Sequence, residues 1–168
     1  VFQPKPISPA AIPGAIAKAE RYRLLNEPEA AESICLDVLE IEPRHQEALI
    51  QLLLARTDLI TRGIAGSVAE ARAVLQRLED PYDRAYYAGI IDERRGHAQL
   101  LSPSIGATVL AYDWFREAMA NYERAIELKP AGNDDAVLRW NTCARVLNAH
   151  PEITPIADTE EHQVVLDD

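Results

Sequence analysis

Short amphipathic runs, each closed by a proline, constrain what this chain can fold into. Apolar side chains recur at three- and four-residue steps, the period of one helix face, and the runs stop at Asn26-Glu27-Pro28, Glu42-Pro43, Asp80-Pro81 and Lys129-Pro130-Ala131-Gly132. Proline has no backbone N–H to donate and disfavours helical backbone in the residue before it, so these sites separate helices. Helices joined by such short turns fold back as αα-hairpins. Of the 168 residues, 48% are apolar, 6% are aromatic and only seven are Gly, a balance that favours helix over a turn-rich β fold. An all-α fold is the expectation.

Four prolines in the first 13 residues (Pro4, Pro6, Pro9, Pro13) predict an extended arm over 1–13. A first helix begins at about Ala15 with Ala15, Ala19 and Tyr22 on one stripe, and a second carries Ala31, Ile34, Cys35, Val38, Leu39 and Ile41. The third, from about His45 to Ile60, is apolar around much of its circumference and reads as central, covered by neighbours on two sides. Ser67-Val68-Ala69-Glu70 has the spacing of a capping box and opens a fourth helix with a core stripe of Val68, Ala71, Leu75 and Leu78. A fifth helix reaches Leu101 and turns Ala85, Ala88, Gly89 and Ile90 or Ile91 inward. Ser102-Pro103-Ser104 is the next turn. A long sixth helix, from about Ile105 to Lys129, is expected to bury Leu110, Trp114, Phe115, Ala118, Tyr122, Ala125 and Ile126, and a seventh is capped by Asn133 or Asp134. From Pro151 the chain holds six acidic residues and no Lys or Arg, so 150–168 reads as an acidic extended tail.

The chain also repeats itself. Residues 30–43 and 117–130 align without a gap, setting Ala31, Cys35, Val38 and Pro43 opposite Ala118, Tyr122, Ala125 and Pro130. This small, larger, small, proline pattern resembles the second helix of the tetratricopeptide repeat family. Ala15, Ala19 and Tyr22 stand at the family's tryptophan, glycine and tyrosine positions, with Lys18 where Leu is usual. Leu49, Leu52 and Leu53 with Ala71, Leu75 and Leu78 form a second repeat, Ala85, Ala88 and Gly89 open a third, and Val137, Trp140 and Ala144 look like a cap. The resemblance implies a right-handed superhelical stack of three antiparallel hairpins plus a terminal capping helix over 14–149. The second-helix alanines Ala31, Ala71 and Ala118 lie 40 and 47 residues apart (71 − 31 and 118 − 71), against about 34 for the family. The surplus is expected in the turn around Gly63 and Gly66 and in lengthened helices on either side of Ser102-Pro103-Ser104.

The resemblance further implies a non-enzymatic adaptor that binds a peptide or helix of a partner protein on the concave surface. Candidate contacts are Ile50, Leu54, Tyr86, Ile90, Arg94 and Arg139. One groove type in the family clamps a C-terminal carboxylate with Lys, Asn and Arg, but the corresponding positions here carry Ile16, Glu20, Ile50 and Leu54, which favours an apolar or mixed segment. The run Asp92-Glu93-Arg94-Arg95 reads first as a solvated, mutually paired helix face, and more sharply as a contact patch with Tyr86 and Tyr87.

Other functions have less support. With 17 Lys and Arg against 27 Asp and Glu, the net charge is −10, which opposes phosphate backbones and anionic membranes. The longest apolar run, Ala48 to Ala55, falls short of the roughly 18 to 20 residues of a membrane span. Two distant cysteines, Cys35 and Cys143, suit reduced thiols and a cytoplasmic protein. No phosphate loop, serine elbow or zinc spacing appears, so no cofactor or metal is expected. Two alternatives remain: the arm or the tail as a ligand for the chain's own groove or a neighbour's, and a small metal or catalytic site around His97, Glu93 and Asp92.

Overall fold

The computed structural model describes residues 2–155, and seven helices make up their regular structure apart from one 3-10 turn at Pro9–Ala11. They are α1 (Ile12–Leu24), α2 (Pro28–Ile41), α3 (Gln46–Ile60), α4 (Ser67–Leu75), α5 (Pro81–Leu100), α6 (Ala107–Leu128) and α7 (Asp135–Ala149). Each helix packs on the next, and α1 also touches α3 as α3 touches α5. The all-α expectation is met.

Proline both ends and begins these helices. Pro13, Pro28 and Pro81 lie in the first turns of α1, α2 and α5, where the missing N–H has no partner to lose. For that reason the helical part begins at Ile12, one residue before the expected end of the arm, and Pro9 opens the 3-10 turn. The arm is not wholly free either, because Ile7 packs on the first core. Asp80 caps α5, its Oδ1 accepting from the N–H groups of Tyr82 and Asp83 at 2.7 and 3.2 Å, and His45 caps α3 through Nδ1. The expected capping box at Ser67 is absent. Ser67 is buried in the first turn of α4, its hydroxyl donates to the Ile64 carbonyl at 2.7 Å, and the cap is Gly66 at φ 87°. Gly106, at φ 81°, opens α6 in the same way, so both second helices start from a left-handed residue that glycine adopts without steric cost.

There are two cores, with α5 as the wall between them. The first is built from α1 to α4 and takes Ile91 from α5, and the second is built from α5 to α7 and takes Ile90. Adjacent helical residues point about 100° apart at 3.6 residues per turn, so α5 serves both cores and the choice between Ile90 and Ile91 does not arise. As expected of a central helix, α3 packs on α1, α2, α4 and α5. The three equivalent alanines, Ala31, Ala71 and Ala118, are each 0% exposed. Small side chains there let neighbouring helices approach closely.

The lengthened third hairpin is present: α5 and α6 have 20 and 22 residues, against 13, 14, 15 and 9 for α1 to α4. Two glycines hold its helices close, Gly89 under the ring of Tyr122 and Gly96 under the ring of Phe115. Three burial expectations for α6 fail, the mildest at Ile126, which is only half-buried against the second core. Leu110 is exposed, and Trp114 is half-buried beneath Arg95, whose guanidinium carbon lies 3.1 Å from the ring centroid. At the other end, Ile153 folds back into the second core after a turn at His150, so the chain is not yet a free tail at that point. The rest of the expected tail, 156–168, lies outside the described residues.

Candidate functional site

The candidate site is a strip across α1, α3 and α5, backed by two buried carboxylates. On α3, Ile50, Leu54 and Asp58 follow at four-residue steps and share one face. On α5, Tyr86, Ile90 and Arg94 do the same. Asp58 ties the helices together, accepting Arg23 of α1 at 3.4 Å and Arg94 of α5 at 3.2 Å. Both α3 and α5 also pack on α4, the helix between them in the chain. Leu54 packs against the second core, to which Ile90 and Tyr86 belong, and Ile50 against the first.

Five of the six candidate contacts are partly accessible: Ile50, Leu54, Tyr86, Arg94 and Arg139. Ile90 is not. At 2% exposure it belongs to the second core and supports the strip from beneath. Ile16 is likewise buried on α1, which leaves Glu20 and Arg23 as that helix's polar contribution. Tyr86 stacks on Tyr82 with ring centroids 5.8 Å apart and meets Tyr87 edge-on at 5.1 Å. Arg139 joins from α7 through Glu93, Nη1 to Oε1 at 3.2 Å. Arg23 and Asp58 were not singled out from the sequence. The available signal was register, since Asp58 lies one further four-residue step along the face of Ile50 and Leu54.

The solvated-face reading of Asp92-Glu93-Arg94-Arg95 is overturned for its two acids. Asp92 and Glu93 are 2% and 4% exposed and point about 100° apart around α5, so that both reach α6 but only one reaches α4 and the other α7. Asp92 faces α4 and α6: Arg72 donates to Oδ1 at 2.6 Å, Asn121 Nδ2 donates to Oδ2 at 3.0 Å, and Arg95 lies 3.6 Å away. Glu93 faces α6 and α7, receiving the Tyr122 hydroxyl at 2.6 Å and Arg139, with His97 Nε2 at 3.8 Å. Burial pushes the Asp92 carboxyl above its ordinary value, and the neighbouring Arg72 and Arg95 only partly offset it. Burial acts on Glu93 in the same sense, but His97, the Tyr122 hydroxyl and Arg139 together outweigh it and hold that carboxyl below its ordinary value. Removing either acid would leave buried partners unsatisfied, so the pair acts as a pin through the α5 wall.

His97, Glu93 and Asp92 therefore do not converge. His97 sits beside Glu93 and edge-on to Phe115, while Asp92 turns away towards α4. Among the described residues there is no group of three or more His, Cys, Asp or Glu able to hold a metal ion, and no helix is long and apolar enough to cross a membrane. Both cysteines are buried. Desolvation, aided by Glu32 at Cys35 and Glu93 at Cys143, pushes each thiol up to about 12, so neither is a thiolate nucleophile at neutral pH.

What the strip can do chemically is present a pre-arranged surface: aliphatic at Ile50 and Leu54, aromatic at Tyr82 and Tyr86, cationic at Arg23 and Arg94. No protein family, curated protein or solved structure matches this chain.

Proposed function

We propose that the chain is a tetratricopeptide-like module, a right-handed superhelical stack of three hairpins capped by α7, that acts as a non-enzymatic interaction adaptor. In this reading the strip across α1, α3 and α5 binds a peptide or helix of a partner protein. The observation that carries it is that Ile50, Leu54 and Asp58 share one face of α3 and Tyr86 and Arg94 one face of α5, the two helices being tied by the Asp58–Arg94 pair over the two cores. A surface held this firmly binds with little reorganisation. Contacts between alternate helices and the three fully buried alanines support the stack. The net charge of −10 supports a protein partner over nucleic acid or anionic membrane, and the buried, protonated thiols are in keeping with a cytoplasmic setting.

Peptide display on the intact chain tests the reading, with an Ile50→Ala/Leu54→Ala/Tyr86→Ala variant as control. Captured peptides should bind the variant at least ten-fold more weakly while its helical circular dichroism is unchanged. Equal binding to a folded triple variant would remove the strip from consideration.

A further inference from the structure

The two ends of the row of helices present different outer faces. At one end the exposed residues of α7 are Asp135, Leu138, Thr142, Arg145, Asn148 and Ala149, mostly polar, as a terminal helix facing water requires. At the other end lies the α1–α2 hairpin, which packs onward on α3. A groove of about 560 Å³ runs between its two helices, lined by Ala10, Ala11, Gly14, Ala15 and Ile34, with Ile7 of the arm. A second cavity of about 440 Å³ adjoins it at Asp37, between Pro4 and Pro6 of the arm and Leu36 and Ile41 of α2. No α3 residue lines either one, so both open on the outer side of the hairpin. Ala11, Gly14, Ala15 and Lys18 recur at three- and four-residue steps, on a different face of α1 from the buried Ile12, Ile16 and Ala19. The first three have no side chain beyond Cβ, so a further helix can approach closely there.

Four charged side chains line these cavities, Lys5 and Lys18 with Asp37 and Glu40. None of them takes part in an ion pair among the described residues, whereas Arg23, Arg44, Arg56 and Arg62 on the first three helices and their turns all have acidic partners. Two of each sign cancel, and Glu20 and Arg21, the next charges along α1, cancel as well. A groove of no net charge that carries both signs has no preference for a basic or an acidic segment. It does match a copy of itself. Under a two-fold axis each Lys18 can meet the Asp37 of the other copy, and each Asp37 the other Lys18, so that one complementary pair is made twice.

We propose that the outer face of α1 and α2 is a self-association surface. It seats the same face of a second copy of this chain about a two-fold axis, with reciprocal Lys18–Asp37 pairs beside the small residues Ala11, Gly14 and Ala15. The helices have 13 and 14 residues. At about 1.5 Å per residue each is about 20 Å long, and the two side by side outline roughly 400 Å², about half of what each partner buries in a standard interface. The dimer is therefore weak and forms at high concentration. This surface is separate from the strip across α1, α3 and α5, because Ile50, Leu54, Tyr86 and Arg94 lie on other helices and neither cavity includes them.

Sedimentation equilibrium of the full chain at low ionic strength, from about 1 μM to about 1 mM, tests the proposal. Lys18→Asp and Asp37→Lys are the variants, both checked for helical content. The mass of the parent should rise from one chain towards two and stop there. Each variant alone sets like charges opposite one another twice, and should associate at least ten-fold more weakly. An equal mixture of the two variants should associate like the parent, because a copy with acids at 18 and 37 faces a copy with lysines at both. The Ile50→Ala/Leu54→Ala/Tyr86→Ala variant should also associate like the parent. A mass that stays at one chain throughout, or grows past two, would overturn the proposal and leave the strip reading untouched. So would undiminished association in both single variants, or a mixture that does not recover it. Association lost in the alanine triple variant would overturn it in favour of the strip as the contact between copies. If the chain stays single while displayed peptides bind the parent and not Lys18→Asp, the groove holds a peptide and the two-fold pairing is wrong.

Discussion

Three helical glycines allow backbone propensity to be separated from packing at the α5–α6 contact. Replacing a glycine by alanine reduces the entropy of the unfolded chain, which stabilises by about 0.4–1 kcal/mol where the new methyl fits. At Gly14 nothing lies within 4 Å of that methyl, so Gly14→Ala should show about this gain. At Gly96 the methyl meets the Phe115 ring at 3.0 to 3.1 Å, which requires the ring to yield by a few tenths of an ångström. The two effects then largely offset, leaving Gly96→Ala within about 1 kcal/mol of the parent. At Gly89 the methyl would run into Tyr122 Cε1 and lie 2.7 Å from Cδ1 and 2.9 Å from Cζ. That ring is fully buried, and its hydroxyl is held on Glu93 at 2.6 Å. It cannot swing aside without giving up a charge-assisted hydrogen bond of about 1.5–3 kcal/mol, and overpacking itself costs about 1–3 kcal/mol. After the propensity gain, Gly89→Ala should destabilise by about 2–4 kcal/mol, lowering Tm by roughly 4–16 °C for a chain of this length. Thermal and urea unfolding followed by circular dichroism at 222 nm read the series. The expected order of stability is Gly14→Ala, parent, Gly96→Ala, Gly89→Ala, the middle two being close. Adding Tyr122→Leu to Gly89→Ala should cost less than the two single changes summed, because the smaller side chain relieves the clash. If Gly89→Ala proves as stable as Gly14→Ala, the close approach of α5 and α6 at Tyr122 is wrong.

The two buried carboxylates should show opposite pH linkage. Because the Glu93 pKa is lowered on folding, its contribution is present above the ordinary glutamate value of 4.5 and is lost as pH falls through the folded value; Glu93→Gln should flatten the acid limb of Tm between pH 7 and 3. Because the Asp92 pKa is raised, its contribution is full below the ordinary aspartate value of 3.8 and is lost as pH rises through the folded value; Asp92→Asn should steepen the same limb. Identical limbs in both variants would contradict the assignment. The Arg95–Trp114 stack should give a coupling energy of about 0.5–1 kcal/mol in a double-mutant cycle with Arg95→Ala and Trp114→Ala, and a value near zero would show that the contact is not made in solution. Ile153 is 4% exposed, so Ile153→Ala should cost about 2 kcal/mol or more in urea unfolding. A neutral result would return residues 150–155 to the tail.

Most helix limits were legible in the sequence because they are set by backbone chemistry within a few residues. Pro28, Pro43, Pro81 and Pro130 act on their own and their neighbours' φ and ψ whatever the rest of the chain does. The alanine spacing was legible for a similar reason: a close helix crossing needs a small side chain at a fixed register, and Ala31, Ala71 and Ala118 supply one each. Where local reading failed, the competing partner was also local but subtler. Gly66 displaced Ser67 as the cap of α4, and Pro13 entered α1 because its first turn has no use for the missing donor.

The strip was only partly legible. Ile50, Leu54, Tyr86 and Arg94 could be placed by register, but Ile90 looked equivalent and is buried, because whether a helix face meets solvent depends on what packs beside it.

What the sequence by itself determined is the list of helices, their pairing into hairpins and the surplus length of the third. Tertiary structure alone decided the fate of Asp92 and Glu93. In isolation two consecutive acids followed by two arginines can only be read as a solvated face, since burying a carboxylate without partners is prohibitive. The partners that make burial possible, Arg72, Asn121, Tyr122 and Arg139, stand 20 to 46 residues away on three other helices. Only their assembly around α5 brings enough donors to two carboxylates to hold them inside the fold.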